Sequence, residues 1–213
     1  MRERAFNLEQ LAIQFGERTT RLIPLVRSVP SPADNEIDRR VAYVTIELLN
    51  AWSSFTRAFY ISSALRAYTA SGARVVVTKP GLVTPDDAVA LAMQKLRGGK
   101  IARPVPRKRE PSWHLGSNVI TLVNEIGASN LATVTAALSY PTQAFRFLPI
   151  ARNFFAHRNA DTARQCRGLC AALALPPVWR PADVLLQRDY AKPENLLTEW
   201  ITDLSTVSNL MVQ

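Results

Sequence analysis

The chain has 213 residues, of which 47% are apolar and 20% are charged. This composition is that of a folded globular protein, and it excludes a low-complexity or disordered chain. Lysine and arginine number 26 against 17 aspartate and glutamate, and the net charge of +9 favours anionic partners such as nucleic acid or anionic lipid. No apolar run could span a bilayer and the N-terminus lacks a secretory signal, so we expect a cytoplasmic protein with no membrane partner.

Helical spacing dominates the sequence, beginning with an amphipathic segment at residues 6–26. Over residues 31–68, apolar residues recur at steps of three and four, which predicts a long helix with one buried stripe. The stripe consists of Ile37, Val41, Val44, Leu48, Trp52, Phe55 and Phe59. Ser31, Pro32 and Asp34 have the spacing of an N-cap, a first helical proline and an acidic third position.

Amphipathic segments continue to the end of the chain. They cover residues 84–97, 117–138, the region after Pro141, 160–175 and 192–211. Only residues 73–79 resemble a strand, and one short strand without partners does not make a sheet. We therefore expect an all-α helical bundle that forms a single domain over residues 1–213.

A basic segment at about residues 97–112, here called the basic loop, interrupts these helices. Its glycines and prolines exclude a regular helix and predict an exposed loop or arm. Lys100, Arg107, Lys108 and Arg109 lie in it. They are either solvated or in contact with phosphate groups.

The clearest candidate site lies on the helix after Pro141. Its apolar residues fall on one side at about 100° per residue, whereas Arg152, Asn153 and His157 lie off that side. Asn153 and His157 are four residues apart and share one ridge, and the long side chain of Arg152 reaches the same cleft. Pro149 either kinks this helix or occupies the first turn of a new one.

The residues after His157 predict the end of this helix. Asn159 and Asp161 indicate a break followed by a new helix, which leaves His157 accessible. Histidine can take or supply a proton, arginine can hold a phosphate group, and asparagine can orient either. These roles suit attack by a ribose 2′-hydroxyl on its adjacent phosphodiester, and they need no metal.

Residues Arg152 to His157 match the pattern of Arg, a polar residue that is most often Asn, three further residues, and His. In this motif and its helical setting the chain resembles the HEPN superfamily, small α-helical domains many of which are ribonucleases. The resemblance implies a helical bundle of HEPN type and a metal-independent endoribonuclease without a cofactor, which leaves 2′,3′-cyclic phosphate and 5′-hydroxyl ends. It also implies a toxin or phage-defence effector, restrained or assisted by an antitoxin or other defence-system protein.

On the same resemblance, Arg152 and His157 are catalytic and Asn153 supports them. Arg158 and the basic loop would add RNA contacts that do not depend on sequence. The reaction works best with two proton-transfer groups. Besides His157, the chain has only one histidine, His114. Either His114 joins the site, or an isologous homodimer supplies a second His157, and the face-to-face pairing common in HEPN ribonucleases favours the dimer.

Other interpretations remain open. Arg152 could form a surface ion pair while His157 ends a helix near its carbonyl groups. The chain could instead be a catalytically silent HEPN-like module that binds a protein or nucleic acid, or a basic DNA-binding protein, although it has no recognition-helix signature. Glu47 either orients Arg152 or His157 from across the core or is solvated or locally paired.

The cysteines and tryptophans are predicted to be structural. Cys166 and Cys170 do not have the spacing of a zinc site, so we expect reduced, small helix residues. Trp113, Trp179 and Trp200 are expected to be core or interface aromatics, since their spacing does not support base stacking.

Overall fold

A computed structural model of the chain describes residues 7–29, 32–99, 104–188 and 193–213. These residues contain ten α-helices and two 3₁₀ turns, at Ile23–Leu25 and Arg107–Arg109. The α-helices are α1 (Leu8–Thr20), α2 (Asn35–Ala64), α3 (Pro85–Arg97), α4 (Gly116–Glu125), α5 (Leu131–Leu138), α6 (Ala144–His157), α7 (Ala160–Arg167), α8 (Leu169–Ala172), α9 (Pro181–Leu186) and α10 (Leu196–Met211). Since the described residues form isolated β-bridges but no strand, the predicted all-α class is confirmed. No helix in this part of the chain is long and apolar enough to cross a membrane.

Helix α2 is the long helix that the apolar stripe predicts, and all seven stripe residues are buried. Its start differs from the prediction, because Asp34 provides the N-cap. The Asp34 carboxylate accepts hydrogen bonds from the backbone N–H groups of Glu36 and Ile37 at 2.9 and 2.8 Å. Pro32 lies before the helix, and Ser31 lies outside the described residues. The predicted cap is therefore too early, since Asp34 already satisfies two of the free N–H groups of the first turn.

The shorter amphipathic segments also form helices, with three departures from the prediction. Residues 160–175 form α7 and α8 rather than one helix. Residues 117–138 form α4 and α5 rather than one continuous element. Gly127, between them, has a φ of 59°, and a Cβ at this position would lie 1.9 Å from Oγ1 of Thr78. Glycine is therefore needed at this turn. The periodicity does not predict α9, because its six residues are too few for a helical pattern to stand out.

The chain divides into two compact units. Each of α1, α2 and α10 belongs to one unit at its first end and to the other unit at its second end. Unit 1 comprises Met1–Phe15, Trp52–Tyr140 and Val207–Gln213. In its core the ring of Phe15 lies 5.8 Å from that of Trp52 and 5.3 Å from that of Phe55. Helix α4 packs against α3 and α5 in the same unit. The interpretation of residues 1–213 as a single domain stays a prediction.

Three residues of unit 1, Arg57, Glu110 and Trp113, form what we call the Glu110 cluster. Arg57 donates two hydrogen bonds to the Glu110 carboxylate, at 2.5 and 2.8 Å, and Trp113 Nε1 donates a third at 2.9 Å. Burial by itself would raise the pKa of Glu110, but these hydrogen bonds and the charge of Arg57 outweigh burial and hold the pKa below its ordinary value. The cluster secures the end of the basic loop against α2.

Unit 2 comprises Gly16–Ala51 and Pro141–Thr206, so it contains all of α6 to α9. Helix α7 packs against both α6 and α9. Polar contacts tie α9 and the residue before it to the chain segment that precedes α2. The backbone N–H of Ala33 donates to the buried Asp183 carboxylate at 2.6 Å, and Arg180 donates to the Ala33 carbonyl. These contacts hold the segment that follows α8 in place.

Candidate functional site

The candidate site lies on α6, which continues through Pro149. Of the two positions that the sequence allows for this proline, the one inside the helix is observed. The apolar side of the helix is buried as predicted, and it consists of Ala144, Phe147, Leu148, Ala151, Phe154 and Phe155. Arg152 therefore lies in the second half of the helix, away from the N-terminal N–H groups that attract anions.

The three polar residues lie off this buried side. Arg152 and Asn153 are half-buried, and His157 is exposed. Asn153 and His157 are one helical turn apart, which places their Cβ atoms about 5–6 Å from each other. Across the described ranges, none of the three side chains forms a hydrogen bond or an ion pair. Their polar groups are thus available to a ligand, and the alternative of an Arg152 surface ion pair finds no partner in this part of the chain.

The predicted break after His157 is confirmed. Arg158 adopts a left-handed conformation with φ 47° and ψ 40°, and its N–H donates to the Phe154 carbonyl at 2.6 Å. Asn159 then caps α7, since its side-chain oxygen accepts the Thr162 N–H at 2.9 Å and the Thr162 hydroxyl bonds back to the Asn159 N–H. This turn fixes the direction of the chain directly beside the exposed histidine.

Arg158, which we expected to contact RNA phosphates, is engaged within unit 2. Its Nη1 donates to the Asp38 carboxylate at 2.7 Å. Its guanidinium also lies 6.0 and 5.7 Å from the ring centroids of Phe154 and Phe155. Asp38 is distant in sequence, so no local pattern could predict this pair. Arg158 thus contributes to the stability of the end of α6, and it would have to leave Asp38 to hold a ligand.

After Arg97, the last residue of α3, the described part of the basic loop contains no α-helix and is mostly exposed, as predicted, although Glu110 and Pro111 are buried. Arg107, Lys108 and Arg109 form a single 3₁₀ turn with all three side chains in solvent. Lys100 lies outside the described residues. The described part of the loop belongs to unit 1, whereas the α6 site belongs to unit 2.

Glu47 and His114 have local roles. Glu47 accepts a hydrogen bond from Arg18 at 2.7 Å, which is the locally paired state that the sequence left open. The backbone carbonyl of His114 accepts a hydrogen bond from Trp52 Nε1 at 3.3 Å. The histidine lies in the segment just before α4.

The two cysteines are free and buried, on α7 and α8. Burial, with a smaller effect of the neighbouring Cys170, raises the pKa of the Cys166 thiol to about 12. The thiol therefore stays protonated at neutral pH, which fits a small apolar residue. Among the described residues, no group of three or more His, Cys, Asp or Glu side chains is placed to hold a metal ion.

The tryptophans do not all behave as predicted. Trp113 and Trp200 are buried in the core, but the side chain of Trp179 is 87% exposed. Trp179 is therefore not a core residue, and that part of the expectation is wrong. The sequence signal is the group of prolines around it, Pro176, Pro177 and Pro181, which indicates a rigid surface segment. An apolar residue in such a segment does not follow a helical pattern.

No family model, no curated protein and no solved structure matches this chain. At the end of α6, Asn153 and His157 share one ridge, Arg152 lies beside it, and a fixed turn follows.

Proposed function

We propose that the chain is a HEPN-type, metal-independent endoribonuclease whose site is formed by Arg152, Asn153 and His157. The observation that supports it is the open state of these three neighbouring side chains, which form no hydrogen bond or ion pair within the described ranges. Unpaired polar groups on an otherwise well-packed helix add nothing to its stability. We therefore infer that these groups bind a ligand.

In the proposed reaction, the ribose 2′-oxygen attacks the adjacent phosphorus and the bond from phosphorus to the 5′-oxygen breaks. A base removes the 2′-hydroxyl proton, and an acid gives a proton to the departing 5′-oxygen. The products are a 2′,3′-cyclic phosphate and a 5′-hydroxyl. Arg152 holds the phosphate and offsets the charge that develops on its oxygens, His157 transfers the proton, and Asn153 orients the reacting groups.

A homodimer belongs to this proposal, because the reaction uses a base and an acid. His157 is exposed at the end of α6, so a second copy of the chain can approach it. An isologous pair would place two His157 side chains in one cleft, one as base and one as acid. The oligomeric state is measured by sedimentation of the purified protein, and an active monomer would contradict this part of the proposal.

The central experiment incubates total RNA with purified wild-type protein and with His157→Ala in the presence of EDTA, and then identifies the product ends. We expect the wild type alone to leave 2′,3′-cyclic phosphate ends. Arg146→Ala is the matched control, because Arg146 is an exposed arginine of the same helix that lies over Phe147 rather than at the site. Equal cleavage by His157→Ala would overturn the assignment, and RNA binding without cleavage would indicate a silent helical module.

The toxin or phage-defence role is proposed on the same site. An unrestrained ribonuclease of this kind degrades the RNA of its host, so expression of the wild type should arrest growth whereas Arg152→Ala should not. An antitoxin or other defence-system protein would then be the partner that restrains or triggers it. Growth arrest by both forms would show that toxicity does not come from this site.

A further inference from the structure

Among the described residues of unit 2, Trp179 has the most exposed aromatic side chain. Its side chain is 87% exposed, whereas Trp52, Trp113 and Trp200 are 1%, 5% and 1% exposed. A tryptophan in solvent gives up most of the free energy that its burial would provide, and its large flat ring is free for a ligand to stack on.

The segment that presents this ring is fixed on both sides. Gln187 Nε2 donates to the Pro176 carbonyl at 2.9 Å, and Arg180 donates to the Ala33 carbonyl. Pro177 and Pro181 restrict the backbone further. The ring is therefore held out on a stiff support, and a ligand that stacks on it would lose little free energy to ordering the loop.

The surroundings of the ring are basic rather than apolar. The Arg167 guanidinium lies 6.0 Å from the Trp179 ring centroid, and Arg164, on the same side of α7 one turn earlier, pairs with Asp161 at 3.2 Å. Within the described part of unit 2, the only other large apolar side chain in solvent is Tyr43, on α2. A single ring among arginines suits a nucleobase with its phosphate better than it suits an extended apolar protein surface.

Helix α7 connects this ring to the candidate site. The helix begins at Ala160, just after the turn that follows His157, and ends at Arg167 beside the ring. Its eight residues span about 12 Å. We propose that Trp179 and Arg167 form a stacking subsite for a base of single-stranded RNA, to one side of the cleaved phosphodiester. This inference rests on the proposed ribonuclease function and adds a substrate contact to it.

Tryptophan fluorescence tests the subsite directly, because three of the four tryptophans are buried. The probe is a short oligoadenylate with 2′-O-methyl riboses, which has no free 2′-hydroxyl and is not cleaved. We expect this probe to quench the Trp179 emission, while the abasic form of the same oligomer binds through its phosphates without quenching. Equal quenching by both oligomers, or by neither, would overturn the stacking subsite.

Variants give the second measurement. Trp179→Ala should raise the Kd for the oligoadenylate about tenfold, which corresponds to the loss of about 1.4 kcal/mol of stacking. Trp179→Phe should recover much of this affinity, and Tyr43→Ala, which removes another exposed ring, should leave it unchanged. Because the Trp179 ring is in solvent, circular dichroism should show that these variants remain folded. Equal Kd values for Trp179→Ala and the wild type would contradict the proposal.

The two proposals fail separately in these experiments. If the wild type cleaves RNA through His157 but Trp179→Ala binds and cleaves normally, the ribonuclease stands and the subsite is wrong. If the oligoadenylate quenches Trp179 and no RNA is cleaved, the subsite stands and the chain is an RNA-binding module. If the oligoadenylate does not bind to the wild type, the subsite is wrong, and the cleavage of total RNA decides the ribonuclease separately.

Discussion

In the Glu110 cluster of unit 1, an arginine, a carboxylate and an indole N–H satisfy one another at distances of 2.5 to 2.9 Å. At the end of α6 in unit 2, the arginine, amide and imidazole of Arg152, Asn153 and His157 have no such partners among the described residues. Arg57 of the cluster lies on α2 and the three site residues lie on α6, and each of these helices buries aromatic residues on its other side. The difference teaches that similar polar groups serve stability where they are closed on one another, and are available for binding or chemistry where they are open.

The largest expected effect is on catalysis at the open site. Arg152→Ala should lower the rate of RNA cleavage about a hundredfold to a thousandfold, because the charge that develops on the phosphate oxygens loses its stabilising cation. The thermal midpoint should stay within error of the wild type, since no partner of Arg152 is removed. Cleavage rates and thermal denaturation, with Arg146→Ala as control, measure both quantities. A clear fall in the thermal midpoint of Arg152→Ala would show instead that Arg152, like Arg57, stabilises the fold.

The reverse result is expected for the closed cluster. Arg57→Ala should lower the free energy of unfolding by about 3 kcal/mol, because Glu110, whose side chain is 4% exposed, loses its paired cation. Adding Glu110→Gln to this variant should recover part of the loss, since it removes the uncompensated charge. Denaturation in urea measures the free energies. A double variant that is less stable than Arg57→Ala would show that Trp113 and Arg107 stabilise the carboxylate without Arg57.

The sequence predicts the helices of this chain well because their apolar spacing is local. The stripe from Ile37 to Phe59 and the apolar side of α6 are buried as expected. The predictions fail where a single contact decides, as at the Asp34 cap, or where a short element has no period, as in α9. Gly127 divides two helices through its positive φ and the proximity of Thr78, which a spacing pattern does not contain.

The candidate site is predictable in part for the same reason. Arg152, Asn153 and His157 lie on one helix, so the ridge shared by Asn153 and His157 follows from helical spacing, and the accessible position of His157 follows from the signal at Asn159. The partner of Arg158 does not follow, because Asp38 is far away in sequence. The exposure of Trp179 is likewise set by the fold of the surrounding segment.

A smaller effect should come from the turn that supports the open site. Asn159→Ala should lower the free energy of unfolding by about 1 kcal/mol, since the Thr162 N–H loses its side-chain acceptor. It should also reduce RNA cleavage, because the turn after His157 loosens. Thr84→Ala is the matched control, since it removes the capping box of α3 in unit 1. If both variants lose the same stability and only Asn159→Ala cleaves RNA more slowly, the turn supports the site. Equal cleavage rates in the two variants would show that the turn does not affect the site.

A pH effect of similar or smaller size should arise in unit 1. Lys79 and Lys95 donate hydrogen bonds to the Glu125 carboxylate at 2.6 and 2.7 Å and lower its pKa to about 2. Because the folded pKa is below the ordinary value of 4.5, this stabilisation is present above pH 4.5 and is lost as the pH falls towards 2. The two partly exposed pairs should contribute about 1 kcal/mol in total. Urea denaturation at pH 5 and pH 2.5 should show a smaller acid-induced loss in Glu125→Gln, and an identical loss would contradict the assignment.

The smallest effect is expected at Glu47, which the sequence allowed to be either part of the open site or locally paired. Its hydrogen bond to Arg18 joins two partly exposed side chains, so Glu47→Gln should change the free energy of unfolding by less than about 1 kcal/mol. The rate of RNA cleavage should be unchanged, because the paired carboxylate does not orient Arg152 or His157. Kinetics and thermal denaturation of this variant and of Arg18→Gln provide the test. A fall in rate in Glu47→Gln that Arg18→Gln does not share would make Glu47 a positioning residue, and the open site would then extend from α6 to α2.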